Sequence, residues 1–269
     1  MAKNSSPKRA SDKTAAQSVA TMQPADPRVA DLVRSGKIRL ALFLPQYVND
    51  PASAALRGVG TGVIAIEIAQ ALAAELGIEV ALIALPTPTK AVEALKRGGC
   101  DVAFLGIEPT RAAEVDFTSA VFEFDYTYLV PAGSAIRSST DAERAGVRVA
   151  IVSSHASALA LRRSASRAEL IGSELPDDAF ALLVAGKADA FALPREQLLD
   201  YAARLPGSRV LDDSYGINRV AMAVSKGRSG WRGFFSEFIE DAKASGLIAR
   251  IIARGALRGF QVAAPEGAV

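Results

Sequence analysis

Residues Asp101–Thr118 read D-V-A-F-L-G-I-E-P-T-R-A-A-E-V-D-F-T. Val102–Leu105 is an apolar run of strand length behind a Gly98-Gly99 break. It stops at Gly106, where the residues turn polar and Pro109 interrupts. The spacing places Arg111 on a loop just past the carboxyl end of a strand, where open α/β sheets receive their ligands. A guanidinium there offers a planar fork of donors matched to a carboxylate. Val115-Asp116-Phe117-Thr118 then leads into a further apolar segment.

The same rhythm extends in both directions. Upstream, Asp31–Gly36 predicts a short helix and Lys37–Leu44 a first strand. Ile64, Ile68, Leu72 and Leu76 recur at four-residue spacing, which predicts a helix that Gly77 stops. The glycine run ahead of it, Gly58-Val59-Gly60-Thr61-Gly62, has G-x-G-x-G spacing and no strand directly before it, which argues against a dinucleotide loop. Val80–Leu85 reads as a strand, and Thr87-Pro88 opens a helix through Ala91–Arg97. Downstream, Tyr126–Val130 is a strand, and a second series follows. It comprises strand Arg148–Val152, a helix from Ser157, strand Glu169–Ile171, helix Asp177–Ala185 closed by Gly186, and strand Ala188–Leu193. Val220–Val224 is a last strand, with amphipathic helices at Trp231–Ala244 and Leu247–Arg254. Alternating units of this kind predict an α/β fold rich in parallel strands.

Composition narrows the function classes. At 269 residues the chain is long enough for two lobes. A formal net charge of +2 is too near balance to indicate nucleic acid or an anionic membrane. Cys100 is the single cysteine and His155 the single histidine, which excludes an intrachain disulfide and most thiolate or histidine metal sites. No run approaches the length of a membrane span. Residues 1–27 read as a disordered leader with Lys3, Lys8, Arg9 and Lys13. Its A-A-Q-S-V-A stretch at 15–20 is too short and polar for the core of a secretory signal.

The Gly106-Ile107 loop, Thr110-Arg111 and the Val115-Asp116-Phe117-Thr118 block resemble one group of proteins. These are the type II periplasmic solute-binding proteins of ABC transporters, in the polar amino-acid branch (bacterial extracellular solute-binding family 3). The resemblance runs from about Lys37 to about Gly255, with the loop before Arg111 about two residues shorter than in that family. It implies a two-lobe α/β fold, each lobe a mixed sheet flanked by helices, joined by two hinge crossings near Phe124–Thr127 and Asn218–Ala221. Lobe 1 would span 37–124 plus 220–262 and lobe 2 would span 125–219.

The resemblance also implies site residues. Arg111 would bind a ligand carboxylate beside Gly106, and Tyr47 or Phe43 would supply a stacking aromatic. In lobe 2, Ser154, His155 and Ala156 join a strand to a helix, and free N–H groups at a helix start suit an anion. One departure stands out. Where the family carries an aspartate for the ligand's ammonium group, this chain has Pro194 followed by Arg195. Glu108 is the nearest substitute in lobe 1. A cleft holding Arg111 and Arg195 without that aspartate favours a carboxylate that lacks an obligatory α-ammonium group.

The expectation is therefore a monomeric binding protein, not an enzyme. It would use no cofactor or metal and would close on a small carboxylate ligand, delivering it to an ABC permease and ATPase complex. It would be periplasmic by resemblance, although no signal peptide is visible, and would meet the membrane only through the transporter. The alternatives are a same-fold lyase of the cyclohexadienyl dehydratase type, with Glu108 as the only obvious acid, or a non-exported sensor.

Overall fold

The computed structural model describes residues 26–50, 55–153, 155–164 and 166–266. The expected leader, except for its last residues, and Ser154 lie outside the described residues.

A 3₁₀ turn at Pro27–Val29 leads into α1 (Ala30–Ser35) and β1 (Lys37–Phe43). A short hairpin follows, β2 (Tyr47–Asn49) with β3 (Leu56–Gly58), then α2 (Thr61–Leu76), β4 (Glu79–Leu85), α3 (Pro88–Lys96) and β5 (Val102–Gly106). After α4 (Pro109–Ala112) comes the long β6 (Val115–Val130) and α5 (Ser139–Ala142). A second series runs β7 (Arg148–Val152), α6 (Ala156–Arg163), β8 (Glu169–Ser173), α7 (Pro176–Val184), β9 (Ala190–Pro194) and α8 (Arg195–Ala203). The described chain ends with β10 (Arg209–Val210), β11 (Gly216–Ser225), α9 (Ser229–Ala244), α10 (Leu247–Arg254) and β12 (Phe260–Val262).

The main sheet orders its strands β4-β1-β5-β11-β6-β9-β7-β8, with β10 and β12 also pairing β6. It holds two parallel triplets, β4-β1-β5 and β8-β7-β9, each with its first strand in the middle. Between them β11 and β6 run antiparallel. β6 pairs with β11 from Val115 to Tyr126 and with β9 from Tyr126 to Leu129, so one strand serves both halves. The two crossing segments expected from the sequence lie side by side here, with Phe124 opposite Asn218 and Tyr126 opposite Gly216.

Strand alternation builds an apolar layer on each face of each half. In the first half Leu40, Leu42, Val102 and Phe104 join α2, α9 and α10 residues such as Ile68, Phe235 and Ile251. Ala41, Ala103 and Leu105 face Leu95 of α3 on the other side. In the second half Tyr128, Val149 and Ile151 pack on Leu161 of α6, while Leu129, Ala150 and Phe191 pack on Phe180 and Leu198.

Helix ends follow local chemistry. Thr87 Oγ1 accepts from Lys90 N at 3.2 Å, and Pro88 occupies the first turn of α3, where its missing N–H costs nothing. The glycine run before α2 also has a packing reason. A Cβ on Gly62 would come within 1.8 Å of the Gln46 carbonyl oxygen, so α2 can close on the turn after β1 only with glycine there.

Candidate functional site

The carboxyl ends of β1, β5 and β9 converge with β6 and β11 around a cavity of about 580 Å³. Its lining combines Arg111, Gln46 and Asn218 with Phe43, Phe104, Phe124, Tyr126 and Phe260. From the second half come His155, Ala156, Pro194, Glu196, Gln197 and Asp200. Volume and mixed lining are those of a small-molecule site.

Arg111 follows β5 as expected, but in the short helix α4 rather than on a loop. Its Nη1 donates to the Gly106 carbonyl at 3.0 Å, and among the described residues no carboxylate pairs with it. A Cβ at Gly106 would meet Asn218 Oδ1 at 2.6 Å and push that side chain aside. The guanidinium is thus anchored by one bond to its own loop and keeps further donors for the cavity.

His155 caps α6, its Nδ1 accepting from Ser157 N at 3.1 Å and lying 2.8 Å from Ser157 Oγ. Burial lowers its pKa, so the ring is neutral at pH 7. His155 and Ala156 therefore reach the same cavity as Arg111, from the other half of the sheet.

Three expected residues are placed elsewhere. Tyr47 is not among the cavity-lining residues; it packs on the first-half core, and its hydroxyl donates to the Leu85 carbonyl at 3.5 Å. Of the two aromatic candidates the fold brings Phe43 to the cavity. Glu108 pairs with Arg163 of α6 at 3.4 Å, an ion pair between the two halves, and does not line the cavity. Arg195 turns away to bind Asp125 of β6, with Nε at 2.9 Å and Nη2 at 2.5 Å. Its remaining donors reach the carbonyls of Leu211, Asp212 and Asp213. The second cleft cation inferred from the sequence is thereby absent from the lining.

Glu196 was not anticipated. It stands in the first turn of α8, where an acidic residue is common and by itself carries no signal. Here its Oε2 is buried and has no hydrogen-bond partner among the described residues. Burial pushes its pKa up to about 7, with Asp125 and Asp200 adding to the rise while its own backbone N–H and Gln197 oppose it. The cavity thus holds a carboxylate even though Pro194 removes the expected one. Tyr126, beside it in the lining, is also shifted upward, first by burial and then by the charges of Glu108 and Glu196.

Among the described residues no cluster of His, Cys, Asp and Glu is suited to a metal ion, and no helix is long and apolar enough to cross a membrane.

Known proteins place this architecture. An ancestral cationic amino acid solute-binding protein superposes with a TM-score of 0.66 at 23% identity, covering 84% of this chain and 98% of that one. A second structure, of an ancestral amino acid-binding protein described as a precursor of cyclohexadienyl dehydratase, gives 0.62 at 24% identity, covering 84% and 97%. These likenesses show a type II periplasmic binding protein fold, as the sequence predicts. An ABC transporter glutamine-binding protein of Bacillus subtilis (strain 168) is 32% identical over 142 residues. That match spans half of this chain and half of that relative. The model of the bacterial extracellular solute-binding proteins, family 3, matches residues 54–254, about three quarters of the sequence, and the chain belongs to that family.

Proposed function

We propose that the protein binds an amino acid in the cavity between the two halves of the sheet, as a binding protein and not as an enzyme. Lobes of 37–124 plus 220–262 and of 125–219 close over it about β6 and β11. The ligand carboxylate meets Arg111, with the Ala156 N–H at the start of α6 sharing the charge, since the His155 and Ser157 N–H groups already donate to the Val152 carbonyl and to His155 Nδ1. The α-ammonium meets Glu196, whose buried oxygen gains the partner it lacks. This revises the expectation of a ligand without an obligatory ammonium group, because the acid missing at Pro194 is replaced from α8. An ABC permease and its ATPase are the proposed receivers, in the periplasm or at the cell exterior.

The observation that carries this reading is the cavity itself, with a guanidinium free of any carboxylate partner among the described residues on one half and an under-bonded carboxylate on the other. Calorimetric titration of L-amino acids against their deaminated analogues tests it. The amino forms should bind more tightly, and Arg111→Ala should cost about 2–5 kcal/mol of affinity. Equal affinity for both forms, or an Arg111→Ala variant that binds as the native protein does, would end the proposal.

A second reading draws on Glu196 alone. A carboxyl group with a pKa of about 7 suits a proton donor, so a lyase acting on a cyclic carboxylate fits the same cavity, with Glu196 replacing Glu108 as the acid. Product formation from prephenate or arogenate, lost on Glu196→Gln, would favour it over binding.

A further inference from the structure

We infer that Phe260, carried into the cleft by the C-terminal strand β12, is a specificity residue that selects an amino acid with an aromatic side chain. The inference rests on the amino-acid reading above. Phe260 lies beyond residues 54–254, the stretch shared with the family model, yet it lines the cavity.

Its position follows from the strand pairing. β12 runs antiparallel to β6 with Phe260 opposite Phe124. The Phe260 ring meets the Phe124 ring edge to face, with centroids 5.4 Å apart at 62°, and the Phe122 ring at 5.9 Å and 64°. Phe124 in turn meets Tyr126 at 6.0 Å and 81°. Such an array accepts one more ring in the same edge-to-face manner, an arrangement that adds to the gain from burial alone.

The route of the chain places this wall beside the ammonium partner. Gly259 has φ +84, and a Cβ there would lie 3.2 Å from the Glu196 backbone nitrogen. The strand therefore enters hard against the start of α8, and Phe260 and Glu196 line the same cavity. An α-amino acid carries its ammonium and its side chain on one carbon, so a carboxylate adjoining a ring wall suits it. Of the polar lining residues, Gln46 is already committed within the protein. The Gln46 amide is engaged at both ends, its Nε2 donating to the Phe104 carbonyl at 3.2 Å and its Oε1 accepting from Phe43 N at 3.3 Å.

The test titrates the full chain with L-phenylalanine, L-glutamine and L-alanine. L-Phenylalanine should bind most tightly. Phe260→Ala should weaken it about tenfold or more, while L-alanine changes by less than about twofold. A thermal melt of the unliganded variant checks the fold. If Phe260→Ala does not fold, Phe260→Leu takes its place and should still lower the ratio of L-phenylalanine to L-alanine affinity. Tighter binding of L-glutamine than of L-phenylalanine overturns the inference, as does an unchanged affinity ratio in a folded Phe260 variant. Arg111→Ala separates the two levels: if it binds all three ligands as the native protein does, the site reading itself fails, whatever Phe260 does.

Discussion

After β5 the chain reaches Arg111, and after β9 it reaches Arg195; in both halves the strand ahead of the arginine is fastened by the same device. In the first half Arg39 of β1 holds Asp101 through its backbone N–H and guanidinium, at 2.7–2.9 Å, and donates to the Gly98 carbonyl at 2.8 Å. In the second half Arg148 of β7 holds Asp189 in the same way, at 2.7–3.1 Å, and donates to the Gly186 carbonyl at 3.0 Å. Up to that point the halves are alike. Beyond it Arg111 keeps its charge for the cavity, while all three Arg195 guanidinium nitrogens bond Asp125 or the carbonyls of Leu211, Asp212 and Asp213. An arginine after a strand is therefore not in itself a ligand site. What decides is whether folding brings an acceptor to it, and β6 brings Asp125 to Arg195 and nothing comparable to Arg111.

That contrast is open to direct attack. Arg195→Ala should lower the unfolding free energy by about 2–4 kcal/mol, because it strands Asp125 in a partly buried site. Arg111→Ala should leave stability within about 0.5 kcal/mol of the native protein. Chemical denaturation of both variants without ligand measures the difference, and the reverse order would dissolve the distinction.

A finer probe is the pH dependence that Glu196 imposes. Its folded pKa, about 7, lies above the ordinary 4.5, so the native state holds this proton more tightly than the unfolded chain. Without ligand, the stability from this group is fully present below about 4.5 and is lost as pH rises towards and through 7. Ligand binding has the opposite sign, since an ammonium group needs the ionised carboxylate. Affinity for an amino acid should fall by up to about tenfold per pH unit below 7. Glu196→Gln should bind more weakly and lose this slope. Titrations between pH 5.5 and 8 would show it, and an equal slope in the variant would remove Glu196 from the site.

The smallest effect tests the likeness of the halves. Arg39→Ala and Arg148→Ala should each lower stability only slightly and by similar amounts, since both pairs are partly solvated. Unfolding free energies differing several-fold would show that the shared device serves only one half.

How much of this the sequence carried depends on the range of the interaction. Periodicity and stop signals are local, so α2 ending at Gly77, α3 beginning at Thr87-Pro88 and β7 at Arg148–Val152 were legible, and with them the α/β class. The arginine after β5 and the histidine ahead of α6 were legible for the same reason, because strand ends and helix starts are local events. β6 was only half read: Val115–Ser119 alternates too weakly, and its strand state comes from pairing with β11, about a hundred residues away. β12 depends in the same way on β6.

The departures at the site have one cause. Tyr47 is the stronger sequence candidate, because a Phe inside a strand is usually core, and only the hairpin of β2 and β3 turns Tyr47 to the core and leaves Phe43 at the cavity. Arg195 and Glu196 are neighbours, and folding treats them differently: Asp125 pairs the arginine, while burial leaves Glu196 Oε2 without a hydrogen-bond partner among the described residues. The sequence by itself determined which segments are strands and helices and which charged residues stand at their ends. Tertiary structure alone decided which of those charges is neutralised and which is left for a ligand, because desolvation and pairing depend on residues distant in the chain.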